Sequence, residues 1–514
     1  MRLYEGVADT QLAHQPRTHR VSSRQRVWPK LADLMLGLAV LATWILVFPR
    51  LVPDRSDDRG IFVSVAERLL AGDILYSEVY DNKEPLFLYF VAVQRALGAI
   101  GELAAEAMLI GSCALLVYFV AVRLYSRRTA VAISFVALPL VVTGEFYVPG
   151  ATYLPAICLT LAVFAACFHH RPALGGALLA TLLFTKLILV PVAFAASACV
   201  LLPRRRVSDV VALTIGAGGA CVLILAVLLT RGELWPFIDT LKLNVSYAQG
   251  GLVAGAKGVA ALAAHIQRVV SVNFVGELAA IGAAIMLVVI TRSPSSHARQ
   301  SAPVIANAGV WTLFASLFVL AVTGLWPQHN QILYIPAIFA MLGLGAFLDT
   351  AYGRARLAAL GFVVLMAYLL AGIPGPKSYV AHLADFTRAY SSLSALPPES
   401  SRLLSSGPAG TYARIGRNDD LGHAFGTGAW KLQCARFHQY EFESEALLAK
   451  VFDCASRAPT LLIGTNFRPD FGAHARAPWN GFVARVERLV SESYACDARS
   501  GLRICKRLPA SNGS

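Results

Sequence analysis

Carboxylates crowd a short stretch that follows the first membrane-length apolar run. Residues 50–84 carry eight acids in a chain whose formal net charge is +14. These acids are Asp54, Asp57, Asp58, Glu67, Asp73, Glu78, Asp81 and Glu84. Lys83 lies between the last two of them. A carboxylate can act as a general base, and a lysine ammonium can bind phosphate as a point charge. The pattern therefore predicts acid–base chemistry beside a phosphate.

The composition is that of a polytopic α-helical membrane protein. The chain has 514 residues, of which 56% are hydrophobic and only 15% charged, which excludes an ordinary soluble protein of this size. A bilayer core needs about 20 apolar residues in a helix. About eleven runs approach that length. They lie near 31–49, 104–122, 129–147, 153–168, 173–185, 187–202, 207–229, 273–291, 303–324, 331–348 and 357–373.

The distribution of Lys and Arg predicts the orientation. Six such residues lie in tail 1–30, which is therefore predicted to be cytoplasmic. Successive spans then alternate in direction. The later Arg-rich loops fall on the cytoplasmic side only if the apolar stretch 85–97 does not cross the membrane. At this length the stretch favours an interfacial helix. The first loop, 50–101, is then exterior and holds two interfacial helices. The basic tail is expected to meet anionic membrane lipids and not nucleic acid. The predicted location is the inner membrane, with a transmembrane domain over 31–374.

Residues 375–514 are predicted to form a soluble α/β domain on the periplasmic side. Leu461–Gly464 has the pattern of a buried strand, and Glu443–Phe452 and Trp479–Val490 have helical spacing. Four cysteines fall here, an even number that suits two disulfides in an oxidising compartment. They are Cys434, Cys454, Cys496 and Cys505. Sequence proximity favours Cys496 with Cys505 and Cys434 with Cys454 but does not fix the pairing. The alternative is that these cysteines bind zinc, but no CxxC motif supports it.

Asp57 and Asp58 have a structural and a chemical interpretation. An Asp before Gly60 is a good helix N-cap and suits the helix dipole. The sequence that follows favours the other interpretation, in which these carboxylates take part in chemistry. An amphipathic stretch ends at Gly72, and the segment starting at Lys83 opens a second interfacial helix at Pro85. A carboxylate and an ammonium would then share one membrane surface.

The first loop resembles that of the C-type glycosyltransferase superfamily (GT-C), in particular the lipid A aminoarabinose transferase and protein O-mannosyltransferase branch. Ala66–Asp73 is similar to the "AxxLLxGD" helix end of that branch, and Tyr80–Leu86 to its "YxxKxPL" segment. The resemblance covers residues 30–200 well, is thin beyond 270 and is absent from the tail. It implies that Asp57, at the right distance from Gly72, is the catalytic aspartate, with Asp58 beside it.

The same resemblance implies four further site residues, each with a simpler alternative. Glu145 matches an acid in the second exterior loop, for acceptor or metal contact, or it is a helix-terminal Glu. Lys186 matches a lysine near the donor phosphate, or it snorkels to the membrane surface. His329 and Tyr334 match a basic residue and a tyrosine at the phosphate, or they belong to an exterior turn with interfacial aromatics. Loop 230–272 is either a lid or a plain connection.

The sequence therefore predicts a membrane glycosyltransferase. The resemblance implies an inverting enzyme that moves a hexosyl or pentosyl group from a polyprenyl-phosphate donor to an envelope lipid, glycan or protein. No cofactor is required in the resembling families, although Asp57, Asp58 and Glu145 offer ligands for a divalent metal. The alternatives are a transporter or flippase of lipid-linked saccharides, which would carry ionisable residues within spans and related halves, and a non-catalytic envelope-assembly scaffold.

Overall fold

The computed structural model is mostly helical. It describes residues 23–51, 58–77, 79, 81–144, 147–242, 244, 298–322, 327–350, 412–415, 445–464, 478–499 and 502–509. The helices are α1 Ser23–Val47, α2 Asp58–Leu70, α3 Pro85–Ala96, α4 Gly98–Ala121, α5 Arg127–Val131, α6 Leu138–Val142, α7 Tyr153–Phe168, α8 Pro172–Leu183, α9 Val190–Leu201, α10 Val207–Thr230, α11 Ala298–Val322, α12 Tyr334–Thr350, α13 Glu445–Arg457 and α14 Pro478–Ser493. Short 3₁₀ helices cover Phe48–Leu51, Leu187–Leu189, Leu202–Arg204 and Pro327–Leu333.

Several helices are apolar enough to cross a membrane. Within the described residues, four helical stretches reach the required length, at Asp33–Leu51, Ile100–Ala121, Leu187–Arg204 and Val207–Thr230. Shorter apolar helices cover Tyr153–Phe168, Pro172–Leu183 and Val304–Leu320. The predicted runs at 273–291 and 357–373 lie outside the described residues, so the count of eleven stays a prediction.

The run predicted at 129–147 is not one regular helix. It consists of α5, a π-helical segment at Ala132–Ala137, and α6. Pro139 lies at the start of α6 and has no backbone N–H to donate. The regular ladder of hydrogen bonds cannot continue unchanged through such a residue, and the wider π turn precedes it.

Arginines join the helices at one end of the bundle, here called the arginine end. Arg128, in α5, pairs with Asp33 near the start of α1, with 2.6 Å between Nε and Oδ1. Arg204 follows α9 and donates to the carbonyl of Cys167 in α7, at 2.9 Å. Two of the loops predicted to be cytoplasmic from their arginines, those of Arg128 and Arg204, thus lie at this end.

The opposite end, here called the lysine end, gathers the other helix termini. Arg50, just after α1, donates to the carbonyl of Thr143 after α6, at 2.5 Å. The guanidinium of Arg59 in α2 donates to the carbonyl of Gly150, ahead of α7, at 3.3 Å. The ends therefore alternate as the sequence predicted, while the side that faces the cytoplasm stays a prediction.

Both ends of α3 lie at the lysine end. The N–H of Leu86 at its start donates to the carbonyl of Phe184, which follows α8, at 3.0 Å. Near its other end, Gln94 accepts from Arg59 at the start of α2, at 3.0 Å. At 1.5 Å per residue its twelve residues measure about 18 Å. Two ends at one side of the bundle agree with a stretch that does not cross, and its place in the membrane stays a prediction.

Helices α2 and α3 pack against each other around buried aromatic and aliphatic side chains. The rings of Phe62 and Phe87 meet edge to face, with centroids 4.9 Å apart. Phe184 and Phe237 belong to the same apolar cluster. This local core fixes the loop between α2 and α3 against the lysine end.

In the C-terminal part, the described residues form a four-stranded sheet with α13 and α14. The strands are β1 Tyr412–Ile415, β2 Thr460–Gly464, β3 Tyr494–Arg499 and β4 Leu502–Arg507, in the order β1-β2-β4-β3. β1 and β2 are parallel, and the other pairs are antiparallel. The predicted strand and both predicted helices of this part are confirmed.

The predicted pairing of Cys496 with Cys505 is also confirmed. The two residues face each other in the β3–β4 pair and form a disulfide. Cys434 lies outside the described residues, and the side chain of Cys454 in α13 is not described. Their pairing, like the domain boundaries, stays a prediction.

Candidate functional site

Lys83 lies in a tightly hydrogen-bonded segment, here called the lysine loop (residues 81–86). Its backbone N–H donates to Oδ1 of Asp81 at 2.9 Å, and the Tyr76 hydroxyl donates to its carbonyl at 2.7 Å. The ammonium donates to Oδ1 of Asn82 at 2.9 Å and lies 5.7 Å from the ring centre of Phe62. These contacts fix the backbone of Lys83 and leave its side chain partly exposed.

Lys186 is brought to the lysine loop by backbone contacts between distant parts of the chain. It lies between α8 and the 3₁₀ helix at Leu187–Leu189 and is 7% exposed. The N–H of Leu187 donates to Oε1 of Glu84 at 2.9 Å, next to the bond between Leu86 and Phe184. The two predicted phosphate lysines therefore share one end of the bundle.

His329 completes this group. It lies in the 3₁₀ helix between α11 and α12, and its ring centroid is 5.8 Å from that of Tyr153. The ammonium of Lys186 lies 4.5 Å from the centre of the same tyrosine ring. Tyr153, 2% exposed, thus has the lysine and the histidine as neighbours. We call Lys83, Lys186 and His329 the cation cluster.

The electrostatics of the cation cluster keep His329 neutral. Burial lowers its pKa first, and the positive charges of Lys186 and Lys83 lower it further, to about 3. In the ligand-free chain His329 is therefore a neutral imidazole near two ammonium groups. An anion placed among these groups would relieve their mutual repulsion and favour protonation of the histidine.

Tyr334 belongs to a neighbouring polar group. It is 1% exposed, and a methyl group added at Gly144 would lie 3.2 Å from its hydroxyl oxygen. Tyr334 and the negative charge of Glu106 raise the pKa of Tyr147 beyond the effect of burial, which is the main cause. The described contacts thus place Tyr334 beside Gly144 and Tyr147. They do not place it in the cation cluster, and its predicted role at the phosphate stays untested.

The proposed acids fall largely outside the described residues. Asp57 and Glu145 are not described, and for Asp58 only the backbone is, as the first residue of α2. Their flanking residues are described. Arg59 and Tyr147 both lie at the lysine end, where Tyr147 donates to Oε2 of Glu106 at 2.7 Å.

Arg59 fixes the start of α2 through a buried ion pair. It is 2% exposed and donates to Oε2 of Glu102 in α4, at 3.1 Å, and Glu102 is 1% exposed. Arg95 adds a second contact to Glu102 at 3.5 Å. Removing one partner of a buried pair typically costs about 3–5 kcal/mol. Arg59 thus connects the start of α2 to Glu102 in addition to Gln94 and Gly150.

Sequence reasoning missed Glu102, Glu106 and Glu233. Glu233 is 0% exposed, accepts from the Tyr89 hydroxyl, and pairs with Arg231 at 3.1 Å. The sequence does indicate all three, because burying an acid inside or beside an apolar run costs free energy unless the acid has a partner. The partners lie in other loops, and the sequence does not identify them.

Chemically, the cation cluster carries the positive charge that attracts an anion. Two ammonium groups and a protonatable imidazole converge, each held by a different loop. No group of three or more metal-ligating side chains occurs in the described part of the chain. The acids predicted as metal ligands, Asp57 and Glu145, lie outside that part.

Comparisons with known proteins give likenesses in structure. Neither a family model nor a curated protein sequence matches this chain. The structure is similar to the archaeal oligosaccharyltransferase AglB from Archaeoglobus fulgidus, solved with an inhibitory peptide and a dolichol-phosphate. The identity is 14% and the TM-score 0.45, over 95% of this chain and 76% of that one. It is also similar to ArnT from Cupriavidus metallidurans bound to undecaprenyl phosphate, at 13% identity and TM-score 0.46, over 94% and 98%.

Proposed function

We propose that this chain is an inverting glycosyltransferase. It would move a sugar from a polyprenyl-phosphate donor to an envelope lipid, glycan or protein at the outer face of the inner membrane. The observation that carries the proposal is the convergence of Lys83, Lys186 and His329 at one end of an apolar bundle. A lipid-linked phosphate suits such a site, because its chain is apolar and its headgroup is an anion.

The reaction would be a direct displacement. The acceptor oxygen attacks the anomeric carbon while the bond from that carbon to the phosphate oxygen breaks. Asp57 takes the acceptor's proton as general base, and the departing lipid phosphate keeps the bonding electron pair. Lys83 and Lys186 stabilise the charge on that phosphate, and His329 becomes protonated beside it.

Asp58, Glu145 and Tyr334 have supporting roles in this proposal. Asp58 lies next to the base, Glu145 contacts the acceptor or a metal, and Tyr334 contacts the donor phosphate. A required cofactor is not part of the proposal, because the cation cluster already offsets the phosphate charge. If a divalent ion takes part, Asp57, Asp58 and Glu145 would hold it, and a chelator would then abolish transfer.

The first prediction concerns Asp57. Asp57→Asn should lower sugar transfer by about 10²–10⁴-fold, the usual contribution of a general base. Binding of undecaprenyl phosphate should not change, because the cation cluster is intact. Transfer is measured with the full chain in proteoliposomes, from undecaprenyl-phosphate sugars to an envelope extract, and binding by titration with the sugar-free lipid.

Lys83→Met is the complementary variant and should weaken binding of undecaprenyl phosphate. Wild-type rates in Asp57→Asn would show that another group is the base. Movement of the lipid-linked sugar across the bilayer without cleavage of its phosphate bond would instead establish the flippase.

A further inference from the structure

Residues 231–242 and 244, here called the strap, follow α10 and pack against the loop between α2 and α3. The strap is helical over most of its length. At its start Glu233, which is 0% exposed, accepts from the backbone N–H of Leu75 at 3.4 Å and from the Tyr89 hydroxyl. These contacts join a part of the chain that lies after α10 to the loop that leads to the cation cluster.

The strap supports both peptide groups that flank Lys83. The side-chain amide of Asn244 donates to the carbonyl of Asn82 at 2.8 Å, in the peptide group before Lys83. In the peptide group after it, the carbonyl of Lys83 accepts from the Tyr76 hydroxyl at 2.7 Å. The ring of Tyr76 packs against Phe237 of the strap, with centroids 5.6 Å apart. The backbone of Lys83 is thus held from the strap on both sides, once through Asn82 and once through Tyr76.

Tyr76 has a strained backbone where it links the strap to Lys83. Its φ is 65°, in the left-handed region that a bulky side chain rarely adopts. Such a conformation costs free energy and persists only where surrounding contacts hold it, often at functional sites. Tyr76 is 1% exposed, and its N–H donates to the carbonyl of Val79 at 2.6 Å. The strain is therefore held at a residue that contacts Lys83.

The ammonium of Lys83 has a partner that a phosphate can replace. It donates to the amide oxygen of Asn82 at 2.9 Å, and the described residues place no carboxylate within ion-pair distance of it. A hydrogen bond to a neutral amide is weaker than one to an ionised phosphate. Because Asn244 fixes the backbone of Asn82, it also restricts where the amide oxygen of Asn82 and the ammonium can lie.

We propose that Tyr76, Asn82 and Asn244 are positioning residues that hold Lys83 ready for the phosphate of the lipid-linked donor. This inference rests on the proposed function. A lysine that is already held loses less conformational entropy when it binds, so the strap raises the affinity for phosphate. The described start of loop 230–272, predicted to be either a lid or a plain connection, is then a fixed support for the lysine loop.

The second prediction tests the strap by removing one hydrogen bond at each contact. Asn244→Leu and Tyr76→Phe nearly preserve the size of the side chain and remove the donor to the lysine loop. Each should weaken binding of undecaprenyl phosphate about three- to tenfold, the scale of one hydrogen bond. In a chain that also carries Lys83→Met, neither should weaken binding further, because the lysine that they position is gone. Affinities are measured by titration of the full chain in nanodiscs.

Thr240→Val is the matched control, because it also removes one hydrogen bond from the strap. The Thr240 hydroxyl donates within the strap, to the carbonyl of Pro236 at 3.0 Å, and not to the lysine loop. Its loss should change the affinity by less than about twofold.

The variants with and without Lys83→Met separate positioning from general stability. Equal losses in both backgrounds would show that the strap only stabilises the fold, and unchanged affinity in both single variants would show that Lys83 needs no support. Either result overturns the proposal. Unchanged affinity in Lys83→Met alone would instead overturn the phosphate-binding role of Lys83. If the losses depend on Lys83 but no sugar is ever transferred, the positioning stands and glycosyl transfer is wrong.

Discussion

At the scale of single residues, His329 is the group whose charge depends on its neighbours. Its pKa is about 3 in the folded chain, against about 6.5 for a free histidine, because it is buried and lies near two lysines. Each pKa unit is worth about 1.4 kcal/mol. Below pH 6.5 this histidine is protonated in the unfolded chain but stays neutral in the folded chain. Folding therefore becomes less favourable as the pH falls toward 3.

The third prediction follows from this loss of stability at low pH. The midpoint of thermal unfolding should fall between pH 6.5 and 4.5, and His329→Gln should reduce this slope. His19→Gln, in the basic N-terminal tail, should not. Saturating undecaprenyl phosphate should also flatten the slope, because an anion beside His329 raises its pKa. A slope unchanged by His329→Gln would mean that other groups dominate the pH dependence.

At the scale of elements, α8 and α10 approach each other through glycines. A methyl group added at Gly176 would lie 1.9 Å from the carbonyl oxygen of Leu213, and one added at Gly216 would lie 1.9 Å from that of Ala173. Small residues that permit close backbone contact are a usual means of helix association in membranes. The contact lies near the start of α8, and the loop that carries Lys186 follows the end of this helix.

The fourth prediction uses two glycines of α10. Gly216→Ala should destabilise the protein by about 1–3 kcal/mol, because the added methyl collides with a backbone carbonyl. Gly218→Ala should be neutral or stabilising, since nothing lies within 4 Å of the added carbon and alanine favours helices. Thermal unfolding in detergent compares the two. Equal effects would argue against close packing of these helices.

The sequence predicted elements better than contacts. Apolar length identified most of the described helices, and the basic loops together with the shortness of 85–97 predicted that this stretch does not cross. Lys83, Lys186 and His329 were identified by residue type and resemblance. Their convergence depends on bonds such as that between Leu187 and Glu84, which no local pattern contains. The π segment before Pro139 and the buried pair of Arg59 with Glu102 were not predicted, because both depend on partners in other helices.

At the scale of the whole molecule, the bundle has two chemically different ends. Arg128 and Arg204 join helices at one end, whereas the cation cluster and the ion pair of Arg59 occupy the other. The predicted topology puts the lysine end outside. A donor delivered to the outer leaflet would then reach the cation cluster directly from the membrane.

The fifth prediction tests which end of the bundle faces the outside of the cell, with two small exposed residues. Ser77 lies in the first loop at the lysine end, and Ser126 precedes α5 at the arginine end. In intact cells, a membrane-impermeant thiol reagent should label Ser77→Cys and not Ser126→Cys. After permeabilisation both should react. The reverse pattern in intact cells would invert the topology and place the site in the cytoplasm.

The distribution of the cation cluster along the chain has a consequence for biosynthesis. Its members lie on loops around residues 83, 186 and 329, separated by most of the helices of the bundle. A ribosome that makes the chain from its N-terminus delivers both lysines long before the histidine. The segment Pro327–Leu333, which carries His329, is therefore the last of the three loops to be made. Truncation before that segment should leave an inserted protein without a complete site.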